Sequence, residues 1–261
     1  MAYDLRSVAN TTTKIRLPNG QEVAFVDWSD QPLLSTCEYE HGATQREQNL
    51  FQYVEGDEVP AAAAAGAAAI RRIATARDTN MSAPGSMAST EEMLVYALKP
   101  EVFLLHLDTE HDFTDFDLDT AGVFSGHPMP TTVCLAVLNM FCKIEFEISR
   151  KIFAEAGFGY FNAGFGVSSS GASLVGNVAG RNAAVNGLPT QEAVRSFVLA
   201  QHIGGQEKFR VKIVNPNGDA LEIGNPETDA ATQGAAASTA DTQACARIHI
   251  YLDGLHKRPV M

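Results

Sequence analysis

Two segments of this chain alternate apolar and polar residues without a slip: Lys143-Ile144-Glu145-Phe146-Glu147-Ile148-Ser149 and Arg247-Ile248-His249-Ile250-Tyr251-Leu252-Asp253-Gly254. Period-two alternation suits only a β-strand, because successive side chains of a strand leave opposite faces. It predicts Ile144, Phe146 and Ile148 inward with Glu145 outward, so that losing Glu145 costs little. The same rule sends Ile248, Ile250 and Leu252 inward and His249 outward. A helix would instead put Phe146 almost opposite Ile144 and Ile148.

Further strands read in the same way. Met93 to Leu98 and Val102 to Leu107 fit two buried strands separated by Lys99-Pro100, although Ser89-Thr90-Glu91-Glu92 could cap a short helix. Val194 to Ile203 reads as another. Lys14 to Leu17 leads through Pro18-Asn19-Gly20 into Glu22 to Trp28, a hairpin pattern. Phe209 to Val214 runs through Asn215-Pro216-Asn217-Gly218-Asp219 into Ala220 to Ile223, a second such device. Helix is expected in two places. Residues 61–77 form an alanine-rich helix or arm after Pro60, with acids before it and arginines at its end. Leu135 to Phe141 forms a short turn.

The 261 residues are 45% apolar and suffice for a substantial core. We therefore expect one β-rich unit over 1–261, with a possible two-barrel split near 125–130. The excess of 31 acids over 19 Lys+Arg gives a net charge of -12, which repels phosphate backbones and disfavours sequence-specific nucleic-acid binding. No apolar run is long enough for a transmembrane helix, and the N-terminus lacks a secretory pattern. Three tracts are too poor in large apolar residues to build a core: 81–89, 158–187 and the low-complexity loop 225–244. They suit arms or loops ordered by neighbouring subunits.

Chemical motifs fail at their defining positions. Asp115, Asp117 and Asp119 have the spacing that opens a calcium loop, but Thr120 stands where glycine should turn and Gly126 where glutamate should close it. These three remain only weak cation candidates within the acidic stretch Asp108 to Asp119. His106, His111 and His127 lack metal-ligand spacing. The loop Gly166 to Ser173 resembles a phosphate loop, but Ala172 replaces the lysine that neutralises phosphate, and Ser168 to Ser170 form no nucleophile elbow. Gly157, Gly159, Gly164 and Gly166 miss dinucleotide-loop spacing. Cys37, Cys134, Cys142 and Cys245 lack paired spacing and read as reduced, buried thiols. Asn10-Thr11-Thr12 is a glycosylation sequon without a secretory context. Tyr251, His249 and His256 near the basic tail read as a surface or subunit contact, with ligand contact as the alternative. No catalytic residue, cofactor or metal is therefore expected.

Strands such as Lys143 to Ser149 running into glycine-rich aromatic loops, with Gln201 to Val211 and the closing strand Arg247 to Gly254, resemble bacteriophage virion structural proteins. That resemblance implies a capsid-type antiparallel sandwich of jelly-roll type, single or double, with long loops. It also implies a non-enzymatic subunit that assembles with copies of itself, as a trimer within a larger shell, and with other virion proteins. Synthesis in the host cytoplasm and residence in the virion follow. Two other readings stand beside it: a carbohydrate- or receptor-binding β-sandwich using Trp28 or Tyr160 as a stacking ring, and a hydrolase using the Asp108 to Asp119 carboxylates.

Overall fold

A computed structural model describes residues 14–16, 22–24, 28–69, 71–106, 130–161, 196–223 and 244–257. The chain is mainly β. Its strands are β1 (Lys14–Arg16), β2 (Glu22–Ala24), β3 (Trp28–Asp30), β4 (Leu33–Glu40), β5 (Glu47–Leu50), β6 (Ala61–Ala62) and β7 (Glu92–His106). Helix α1 (Pro130–Phe141) precedes β8 (Lys143–Ile148), β9 (Lys151–Gly157), β10 (Ser196–Ile203), β11 (Phe209–Val214) and β12 (Ala244–Lys257). One six-stranded sheet runs β10-β7-β12-β4-β6, with β3 also on β12; a four-stranded sheet runs β5-β11-β8-β9, and β1 pairs β2. Every pair is antiparallel except β4 with β6.

The apolar positions of the alternating segments go inward as their period demands, but the opposite face of β8 is covered too, with Glu145 and Glu147 only 8% and 7% exposed. Ile144, Phe146, Ile248, Ile250 and Leu252 are wholly buried and Ile148 nearly so. They join Leu33, Cys37 and Met93 of the large sheet and Val211 and Ile213 of the small one in a single apolar cluster. Phe146 of β8 stacks on Phe197 of β10, with ring centroids 6.0 Å apart. The core thus lies between side chains contributed by both sheets.

Where β3 meets β4, Gln31-Pro32 interrupts pairing with β12, and opposite that gap β12 shifts register between Asp253 and Gly254. Gly254 lies so close to the Leu94 carbonyl that a Cβ would clash with backbone. This position therefore requires glycine.

Several expectations need correction. The described residues of 61–77 contain no helix. Ala61 and Ala62 pair in parallel with Glu38 and Tyr39, Gly66 takes φ +81°, and the chain folds back so that Glu58 bridges Ile73. Alanine's helix preference amounts to only ~0.7 kcal/mol per residue over ordinary residues. Fixing Arg72 on the sheet outweighs it, through an ion network described below. This arm is ordered by its own chain.

The two strands expected on either side of Lys99-Pro100 are one continuous β7. Its pairing with β10 covers Met93 to Ala97 among the described residues, and Pro100 is register partner to Ile250 of β12 within a ladder that continues on both sides of it. β11 does not form a hairpin with Ala220 to Ile223; it lies between β5 and β8, while Leu221 makes an isolated bridge to Ala43. The reversal itself holds, with Gly218 at φ +70° and Asn215 Oδ1 accepting from the Gly218 and Asp219 amides. α1 begins at Pro130, five residues before the turn expected at Leu135. β1 and β2 pair as a hairpin would, whereas the Asn19-Gly20 turn and the 125–130 split lie largely or wholly outside the described residues.

Candidate functional site

The outer face of the large sheet carries the densest set of ionisable side chains among the described residues. Arg72 donates two hydrogen bonds to the Asp78 carboxylate at 2.7 Å and one to Glu38 at 3.1 Å, and Arg247 donates to the same Glu38 oxygen at 2.9 Å. The carboxylates are 3% and 6% exposed, so this is a buried cluster closed by two guanidiniums. Asp78 also accepts from the Thr75 amide and hydroxyl. Burial raises its pKa, but these donors outweigh burial and hold it down at about 2. Tyr53 closes the floor, donating to the Thr36 and Asp78 carbonyls.

One row across the three strands has the residue types of a hydroxyl–imidazole–carboxylate relay. His249 of β12 is register partner to Thr36 of β4 and to Glu101 of β7. Its Nδ1 lies 3.3 Å from the Thr36 hydroxyl. The geometry departs from a nucleophilic triad at two points. Thr36 is wholly buried, out of reach of a substrate, and the Glu101 carboxylate accepts from Tyr251 at 3.3 Å. Burial raises the Glu101 pKa. The row locks strand register.

His249 gives that row a pH signature. Burial, then Arg247, pushes its pKa down from 6.5 to about 4, with Arg72 acting the same way against opposing pulls from Asp78 and Glu38. Between these two values the unfolded chain binds more protons than the folded one. Stability is therefore full above pH 6.5 and declines as pH falls toward 4, and His249→Gln should flatten that segment of the profile. Urea unfolding at half-unit pH steps checks it; identical slopes for both proteins would contradict it.

Other candidates read from the sequence are placed as follows. Trp28 is 8% exposed and packs with Leu94 and Leu255, so it offers no stacking ring. Tyr160 is 49% exposed and sits edge-on to Phe161, so of the two rings named from the sequence it is the accessible one. His256 is 1% exposed and faces Glu91 at 3.8 Å, an interior contact. All four cysteines are buried and free, and burial pushes Cys134 and Cys142 up to about 12, as inert thiols require. Asp115, Asp117, Asp119, His111, His127, Gly166 to Ser173 and 225–243 lie outside the described residues. The Glu38–Arg72–Asp78–Arg247 network has no sequence signal, because its members lie 6, 34 and 209 positions apart.

The second notable surface is apolar. Among the described residues, β9 and β10 each end a sheet. Between the pairs Ser196–Ala97 and Gln201–Val95, β10 leaves the ladder and presents Val198 at 99% and Leu199 at 74% exposure. On β9, Ile152 and Phe153 are 47% and 40% exposed. Edge strands of monomers are usually blunted by charge or proline; these carry apolar side chains. No helix among the described residues is long and apolar enough to cross a membrane. Comparison with protein families, curated proteins and solved structures finds no match for this chain.

Proposed function

We propose that this chain is a virion structural subunit of capsid type that acts by assembling with copies of itself. The observation that carries the reading is the pair of open sheet edges whose large apolar side chains point into solvent. Val198 and Leu199 lead it. Contiguous exposed apolar residues on an unpaired edge mark an association surface, and association would bury them. A two-sheet core of mostly antiparallel strands suits a sandwich of jelly-roll type, and the resemblance to phage virion proteins supplies the context. On this reading the chain forms trimers within a larger shell, touches other virion proteins and catalyses nothing.

The test is a double substitution, Val198→Asp with Leu199→Asp. Both side chains are exposed, so the fold and its melting temperature should barely change, within about 0.5 kcal/mol. The oligomer, read by size-exclusion chromatography with light scattering, should shift to smaller species. An unchanged oligomer would remove β10 from the assembly surface, and a wild-type monomer would remove the reading.

A further inference from the structure

Four non-glycine residues among the described residues have left-handed backbone, Phe51, Ser149, Arg150 and Gln206, with φ of 63°, 49°, 69° and 62°. Three of the four lie on one open groove of about 560 Å³. Ser149, Arg150 and Gln206 line it. Phe51 stands behind it: its carbonyl accepts from the lining Gly85 amide at 2.7 Å, and its ring packs on Phe209 at 5.7 Å. Each such residue is strained relative to glycine, and the chain uses glycine freely elsewhere. Strain gathered at one place, rather than scattered over many turns, marks a site whose side chains are needed there.

The groove is fixed by its surroundings. Ser149 and Arg150 are the two-residue turn between β8 and β9, where the hairpin twist demands left-handed backbone and Asn-Gly is the usual solution. The Ser149 amide donates to the Lys208 carbonyl at 2.8 Å, and its hydroxyl donates to Glu207 at 2.8 Å. Glu207 also accepts from the Gly204 amide, and the Gln206 amide donates to the Met87 carbonyl. Gln52 donates to the Phe209 carbonyl, and Arg210 is held on Glu147.

The charges these ties leave unneutralised, and the hydrogen-bonding capacity the tied side chains retain, define the ligand. Arg150 and Lys208 are exposed, line the groove, and have no acidic partner among the described residues, whereas Arg210 is already neutralised by Glu147. Around them stand groups that bind hydroxyls: the Gln52 and Gln206 amides, the Ser149 hydroxyl and the Glu207 carboxylate. We infer that this groove binds a small hydroxylated anion, a sugar acid or sugar phosphate, with Arg150 and Lys208 on the oxyanion and Gln52, Gln206 and Glu207 on the hydroxyls.

The decisive variant is Arg150→Gly. Glycine adopts φ +69° without strain, which offsets its greater freedom in the unfolded chain, so the variant should fold with a melting temperature close to wild type. It should at the same time bind at least about tenfold more weakly, the scale of one lost charge-assisted hydrogen bond. Isothermal titration calorimetry with the full chain would compare glucuronate, glucose 6-phosphate, glucose and inorganic phosphate. Binding of either or both sugar anions, with glucose and inorganic phosphate much weaker, is the expected result, and which sugar anion binds tells carboxylate from phosphate ester. Equal binding of glucose, equal binding of inorganic phosphate, no binding of any probe at 10-millimolar-order concentrations, or full affinity in Arg150→Gly would each overturn the assignment.

Discussion

Phe146→Ala is expected to cost about 3–5 kcal/mol, because it removes a ring from the middle of the core and leaves a cavity that stiff neighbours cannot fill. Phe146 is wholly buried on β8, between its register partners Val211 on β11 and Ala154 on β9, and its ring stacks on Phe197 of the other sheet. The variant therefore weakens the contact between sheets as well as the sheet itself. Glu145→Ala is the comparison. The alternation alone makes that residue cheap to lose, but it is only 8% exposed and lies 2.7 Å from the Lys143 ammonium, with Lys212 at 3.9 Å. Its loss should cost about 1–2 kcal/mol, still well below Phe146. Urea unfolding of both variants decides it: equal losses would contradict the packing of β8.

Arg72→Met is expected to cost a similar 3–5 kcal/mol for an electrostatic reason. It leaves Asp78, 3% exposed, without its guanidinium, and leaves Glu38 with Arg247 alone. Neighbouring Arg71 is the control. Its side chain is 79% exposed and pairs with a half-exposed Glu58, so Arg71→Met should cost less than about 1 kcal/mol. The pH profile carries the same contrast. With its folded pKa depressed to about 2 from 3.8, Asp78 contributes stability that is complete above pH 3.8 and lost as pH falls through 2. Arg72→Met should remove that acid limb, and equal stability of the two arginine variants would contradict the network.

The strands were legible wherever one face is apolar and the other polar. Lys143 to Ile148 and Arg247 to Leu252 needed no tertiary information, because burial of alternate residues is what a half-buried sheet requires. The alanine-rich segment misled for the converse reason. Its local preference for helix is weak, and the partners that determine its path, Glu38 and Tyr39 of β4 with Asp78, are not adjacent in sequence. Pro100 misled because a single proline does not end a strand whose neighbours on both sides pair with β12. The groove around Arg150 was invisible in the sequence, since Ser149 and Arg150 lack the Asn-Gly signature of the turn they form. The exposed pair Val198-Leu199 reads in sequence as part of an ordinary strand. Only the departure of β10 from β7 turns it outward.

The central claim is that this chain works as an assembled subunit, and the mass of the purified protein in solution tests it most directly. Light scattering across a concentration series is predicted to give a multiple of the 28.0 kDa chain, three copies or a larger closed particle, even at the lowest concentration measured. A single species of 28.0 kDa that persists at the highest concentration would contradict the account.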